Sequence, residues 1–156
     1  MVLADTHLPR KGRTLPQRVL SELERADIII HLGDFTEISV ARMLQSHARL
    51  AGVHGNNDCP EICAQFPATR QLTLGGQTLA LLHGHLGGGT ALQAARKVTG
   101  STAVLFGHSH RPYCSWVDGI LFFNPGSPTD RRWSPSRSFG LMEIGEVIEA
   151  RIVHLP

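Results

Sequence analysis

Three unbroken apolar runs, Ile28-Ile29-Ile30, Leu79-Ala80-Leu81-Leu82 and Ala103-Val104-Leu105-Phe106, limit what this chain can fold into more than any other feature. A strand with one wet face alternates apolar and polar residues, so a run without alternation belongs to a strand covered on both faces. Between the early runs, Leu15 to Leu23 and Ile38 to Leu44 repeat apolar residues at helical spacing, and Leu50-Ala51-Gly52-Val53-His54 reads as a further strand. With the short start Val2-Leu3-Ala4, this predicts β-α-β-α-β over the first third. Residues Gln71 to Leu82 then read as a hairpin turning at Gly75-Gly76, followed by a helix from about Gly89 to Val98. Further strands are expected over Pro112 to Val117 and Ile120 to Phe123, across Asp118-Gly119, and over Ser138 to Ile144 against Glu146 to Val153. Alternating α/β units followed by antiparallel pairs predict an α/β fold, a four-layer α-β-β-α sandwich of two mixed β-sheets flanked by helices.

Length and composition bound the rest. At 156 residues the chain fits one domain over residues 1–156, and 42% hydrophobic with 18% charged residues is ordinary for a soluble globule. No apolar run approaches the roughly 20 residues of a membrane span, and no basic segment followed by an apolar stretch precedes Asp5, so the expected location is the cytoplasm. Cys59, Cys63 and Cys114 are odd in number, and three residues separate the first two, which predicts free thiols. A net charge of +2 with dispersed arginines does not describe a duplex-tracking surface, and the aromatics form no stacking ladder, so no stable nucleic-acid binding is expected. Arg131, Arg132 and Arg137 lie in a Ser- and Pro-rich segment that reads as a solvated loop, a phosphate contact being the alternative. A homodimer is the common outcome for a small soluble domain.

Five polar clusters follow short apolar runs: Asp5-Thr6-His7, Gly33-Asp34, Gly55-Asn56-Asn57-Asp58, His83-Gly84-His85 and Gly107-His108-Ser109-His110. Each alone has an ordinary explanation, a helix cap for Asp5 or Asp34, a tight turn for Asn56-Asn57, a hydrogen-bonded histidine beside a strand. Asp5 and His7, two apart, would leave one face of a straight strand together. Four imidazoles at two strand ends are hard to explain by packing, and with Asp5, His7 and Asp34 they point to a metal site. Oxygen and imidazole donors of this kind bind Mn, Fe, Co, Ni or Zn, and strand ends are where α/β layers hold ligands. A closed structural zinc site would lean on cysteine, which these clusters lack. His31, His47, His54 and His154 read as structural or surface residues.

In this order the clusters resemble the blocks of the calcineurin-like metallophosphoesterase superfamily, Asp-x-His, Gly-Asp, Gly-Asn-x-Asp, Gly-His and Gly-His-x-His. The resemblance runs from Asp5 through Asn124-Pro125-Gly126-Ser127 to Phe139-Gly140-Leu141, and it is nearest to the small bacterial and archaeal phosphodiesterases. It implies two divalent metal ions, manganese first among the candidates. Asp5, His7, Asp34 and His110 would hold one ion, and Asp34, Asn56, His83 and His108 the other, with Asp34 bridging. It further implies hydrolysis of a small or activated phosphodiester by attack of a metal-bridging hydroxide. Where many members carry histidine in the third block this chain has Asn57, and an amide is no proton donor, so good leaving groups are expected unless His85 supplies the proton. His85 could equally hold a ligand through its other nitrogen, while Asn57 bonds a phosphate oxygen and Asp58 orients the loop. The same fold also occurs as a non-catalytic retromer-type scaffold, and complete ligand chemistry favours the enzyme. A phosphomonoesterase or nucleotide phosphatase is the next reading.

Overall fold

The computed structural model describes residues 1–156, whose strands divide into two five-stranded sheets. In chain order the elements are β1 (Val2–Leu3), α1 (Gln17–Leu23), β2 (Ile28–Leu32), α2 (Ile38–Gln45), β3 (Arg49–Val53) and α3 (Pro60–Gln65). They continue with β4 (Thr69–Leu74), β5 (Gln77–Leu82), α4 (Ala91–Ala95), β6 (Ala103–Phe106), β7 (Tyr113–Val117), β8 (Ile120–Asn124), β9 (Arg137–Ile144) and β10 (Ile148–Leu155). One sheet has the order β10-β9-β1-β2-β3, with β1, β2 and β3 parallel and the β9–β10 hairpin added antiparallel. The other has the order β4-β5-β6-β8-β7, a parallel centre of β5, β6 and β8 with an antiparallel strand at each edge.

The period of two along each strand distributes side chains among three apolar layers. Leu3 and Ile29 face Val19, Leu23, Val40, Leu44 and Ile62 of the three early helices. Val2, Ala4, Ile30 and Leu32 face the other way, against Leu79, Leu81, Leu105 and Phe123 of the second sheet. On that sheet's outer face Ala80, Val104, Phe106 and Phe122 pack on Ala91, Ala94 and Ala95 of α4. The unbroken runs are therefore strands buried on both sides, and the layers stack helix, sheet, sheet, helix as the pattern predicts.

Boundaries moved where turn chemistry decided them. Helix α1 starts two residues after Leu15 because Pro16 takes the cap position, leaving Leu15 as a buried anchor. Helix α4 is shorter than the expected Gly89 to Val98, opening at Ala91 with Thr90 as its N-cap in a capping box with Gln93 and ending at Ala95. Helix α3 was not expected, since it buries only Ile62 and so lacks a periodic apolar face, although Pro60 at its first turn is a start signal. Both short hairpins follow expectation: Gly75 and Gly76 have φ of 54° and 80°, and Asp118 and Gly119 have 50° and 77°. Left-handed backbone at both central residues is what a two-residue turn between twisted strands demands. The three cysteines are free thiols, and no helix is long and apolar enough to cross a membrane.

Phe123, fully buried between the sheets, is the largest side chain in the central layer. Phe123→Ala should lower unfolding stability by about 3–5 kcal/mol, read as a decrease in the urea midpoint at unchanged slope.

Candidate metal centre

The carboxyl ends of the parallel strands from both sheets meet at one edge, and each polar cluster of the sequence lies on a loop leaving one of them. Strand β1 stops at Leu3, so Asp5 and His7 do not share the face of a straight strand as expected. They sit instead on left-handed backbone, with φ of 54° and 45°, and the same holds for Asp34 at 60°, His108 at 68° and His110 at 56°. Such conformations cost on the order of 1–3 kcal/mol each for a non-glycine residue and persist only where surrounding contacts hold them. Here the holding contacts are backbone hydrogen bonds, from Asp5 N to Gly33 O and His7 N to Asp34 O, both 3.0 Å, and from Gly107 N to His83 O at 3.1 Å. Gly33, with φ of 91°, lets the loops close: a Cβ there would lie 2.7 Å from Gly55 N and from His83 Nδ1.

Six of the expected ligands form two groups, each with donor atoms close enough to share one ion: Asp5, His7 and His110, and Asp34, His83 and His108. Within the first, His7 and His110 bring their Nε2 atoms to 3.2 Å, and His110 Nε2 lies 3.5 Å from Asp5 Oδ1. In the second, His108 Nδ1 lies 3.2 Å from His83 Nε2. Asp34 stands between the groups, its Oδ2 3.5 Å from His7 Nε2 and 3.4 Å from His83 Nε2.

Hydrogen bonds on the far side of the rings set which nitrogen faces inward. Carbonyl oxygens accept from Nδ1 of His83 (Leu32 O, 2.6 Å) and of His110 (Asp130 O, 2.5 Å), so in the neutral rings the Nε2 lone pairs point into the site. Asp5 is fully buried, and neither of its carboxylate oxygens has a hydrogen-bond donor. Burial pushes its pKa up to about 7, His83 being the largest opposing influence. Burial alone would lower His83, yet hydrogen bonding to Asp34 and the charges of Asp5 and Asp34 lift it to about 9. Desolvation would raise Asp34, but the hydrogen bonds and charge of His83 and the bonds from Asn57 hold it well below the usual carboxylate range. His110 is depressed to about 4, mainly by burial. A proton on His83 thus does part of a cation's work, and the orphaned Asp5 carboxylate among inward lone pairs fits a divalent ion better than it fits the protein alone.

The third block is arranged differently from expectation. Asn56 is exposed, and its neighbour Asn57 approaches Asp34 instead, donating from backbone N to Oδ1 and from Nδ2 to Oδ2, each at 2.8 Å. Asp58 accepts from the backbone N–H of Asp34 (2.9 Å), Gly55 (2.6 Å) and Thr36 (2.7 Å), which clamps two loops together and leaves the carboxylate little freedom for proton transfer. His85 is half-buried with its ring 5.3 Å from that of His83, makes no hydrogen bond to a candidate ligand, and has a buried Nδ1 without a partner. His31 is a core residue bonded to Thr6 Oγ1 (3.1 Å) and stacked on Phe35.

Four supporting residues were given no role at the site by the sequence, although Asn124 and Ser127 lie in the turn through which the family resemblance runs. Asn124 donates to Gly107 O and Ser109 Oγ, Ser127 and Thr129 hold the carbonyls of Asp5 and Thr6, and Asp130 orients His110 through its carbonyl. Asn124 ends the apolar strand β8 and Ser127 follows it, the same strand-end position as the five clusters, and that placement could have marked their role.

Residues 1–146 match the calcineurin-like phosphoesterase superfamily domain. A probable metallophosphoesterase of Methanocaldococcus jannaschii is 30% identical over 97% of this chain and 79% of its own. A phosphodiesterase of Escherichia coli K12 is 30% identical over 70% of this chain and 61% of its own. Among solved structures, vacuolar protein sorting 29 of Cryptosporidium parvum shares the fold with a TM-score of 0.83 at 22% identity, covering 99% of this chain and 90% of that one.

Two outcomes follow from this geometry. Protons on Asp5 and His83 compete with a metal ion, so affinity for Mn²⁺ should rise with pH between about 6 and 9, with proton release seen by calorimetry in buffers of differing ionisation enthalpy. Asp58→Ala removes the acceptor of three backbone donors and should lower stability by roughly 2–4 kcal/mol and metal affinity at least about tenfold, measured by thermal melts and metal titration.

Proposed function

The chain belongs to the calcineurin-like phosphoesterase superfamily, and on that premise we propose that it is a metal-dependent phosphodiesterase acting on small or activated phosphodiesters. Family membership implies divalent metal ions, and the two ligand groups are where they would bind. The observation that carries the reading is the buried Asp5 carboxylate, both of whose oxygens lack donors while three imidazoles of the two groups approach it. A side chain kept only for packing would have its polar atoms paired.

In this reading Asp5, His7 and His110 hold one ion and Asp34, His83 and His108 the other, with Asp34 shared. Such ions supply Lewis-acid activation of water and neutralise charge on the phosphoryl group. The chain's own residues position that chemistry. Leu32 and Asp130 carbonyls fix the tautomers of His83 and His110, and Asp58 holds the Asp34 loop against the Gly55 loop. The neutral oxygen ligand assigned to this loop lies with Asn56 or Asn57, of which Asn57 already faces Asp34. Neither amide donates a proton to a departing alkoxide, which favours leaving groups of low basicity. The identity of one similar protein as a phosphodiesterase supports the diester over the monoester. Two complete groups of three metal-ligand side chains, side by side, support a catalytic pair of ions over a scaffold role.

Metal-stripped protein titrated with Mn²⁺ should gain hydrolysis of bis(p-nitrophenyl) phosphate as two ions bind, and should act faster on it than on p-nitrophenyl phosphate; the reverse ratio would make it a monoesterase. Asp34→Asn should lower turnover by at least about 100-fold, since losing a residue that merely hydrogen-bonds a metal ligand already reaches about that size, while shifting the melting temperature little. Unchanged turnover with metal content intact would remove Asp34 from the bridging role.

A further inference from the structure

Beside the two ligand groups, and opening onto His7 and Asn57, lies a cavity of about 470 Å³. That is within the size range of small-molecule sites. Its remaining walls are Arg10, Lys11, Asp130, Arg132 and Trp133. Three cations face a single carboxylate. Asp130 pairs with Lys11 at 3.4 Å and with Arg132 Nε at 3.9 Å, so two positive charges stay in excess. The same Asp130 holds His110 through its carbonyl, so the cationic wall is tied directly to the first ligand group. Trp133 is 86% exposed at this wall, an indole face with no protein partner.

Nothing in hydrolysis of a simple diester calls for these features. A diester carries one negative charge, which ions held by the ligand groups would answer, and it needs no exposed indole. A leaving group that is itself a phosphate accounts for all three observations. It carries further negative charge for Arg10, Lys11 and Arg132. It departs without needing a proton, which suits a loop that offers Asn57 where an acid would stand. A nucleoside on that phosphate would lay its base on Trp133. Resting on the phosphodiesterase reading, we infer that the substrate is a nucleotide phosphoanhydride, an activated diester whose departing phosphate and base occupy the Arg10–Lys11–Arg132–Trp133 cavity.

The reaction balances as hydrolysis. A water oxygen bonds to the attacked phosphorus, the bond from that phosphorus to the anhydride oxygen breaks, and its electron pair leaves on the departing phosphate. Both products are phosphate anions, and the protons of water go to solvent.

The test compares manganese-loaded protein on diadenosine triphosphate, bis(p-nitrophenyl) phosphate and inorganic tripolyphosphate. Expected is a higher kcat/KM for diadenosine triphosphate than for the aryl diester. Arg132→Gln should lower kcat/KM for the anhydride about tenfold more than for the aryl diester, the size of a lost charge-assisted contact. Trp133→Ala should raise KM for diadenosine triphosphate several-fold more than KM for tripolyphosphate, which has no base to stack. Both side chains are exposed, so the variants should fold. Turnover of the aryl diester without turnover of the dinucleotide, or equal losses on both in Arg132→Gln, overturns the inference and leaves the phosphodiesterase reading standing. No turnover of any of the three with two ions bound overturns that reading, and the inference with it.

Discussion

Lone pairs facing lone pairs at a buried edge of two sheets govern this structure. Asp5 is wholly buried with unpaired oxygens, and His110 turns an unprotonated Nε2 toward it because the Asp130 carbonyl claims the opposite nitrogen. Asp34 lies between the two ligand groups, and His83, raised to about 9, carries charge that partly relieves it. Burying such groups without a counter-charge is costly, so the surrounding fold must be stable enough to hold them there. That stability comes from three apolar layers sandwiching both sheets.

The means of holding them is local and mostly backbone. Five candidate ligands sit on left-handed backbone, a conformation side chains avoid, and they are kept there by hydrogen bonds that cross between loops. Asp58 contributes most through a single side chain, taking three backbone donors from two loops far apart in the chain. Ser127 and Thr129 tie the segment between β8 and β9 back to Asp5 and Thr6 across more than a hundred residues. These contacts position the ligand side chains through the protein's own hydrogen bonds, without calling on a bound group.

Where the sequence was silent, the reason is physical. Asp130 and Trp133 lie in a segment whose composition reads first as a solvated loop, with a phosphate contact of its arginines, Arg132 among them, only as the alternative. The role of Asp130 rests on a backbone carbonyl, which no residue type advertises, and that of Arg132 on its closeness to His7 in space. Helix α3 went unseen because it buries one side chain and so has no period to read. Asn56 and Asn57 are chemically identical neighbours, and only the path of the loop turns the second toward Asp34.

By itself the sequence determined the two mixed sheets between helices, the hairpins at Gly75-Gly76 and Asp118-Gly119, and the donor types gathered at the strand ends. These are written in local period, turn residues and side-chain chemistry, each readable within a few positions. Tertiary structure alone decided the left-handed presentation of Asp5 and His7, the tautomers of His83 and His110, the clamp at Asp58 and the cationic cavity beside them. Each of these depends on groups brought together from distant parts of the chain, and no local pattern encodes a contact whose partner lies from about twenty to more than a hundred residues away.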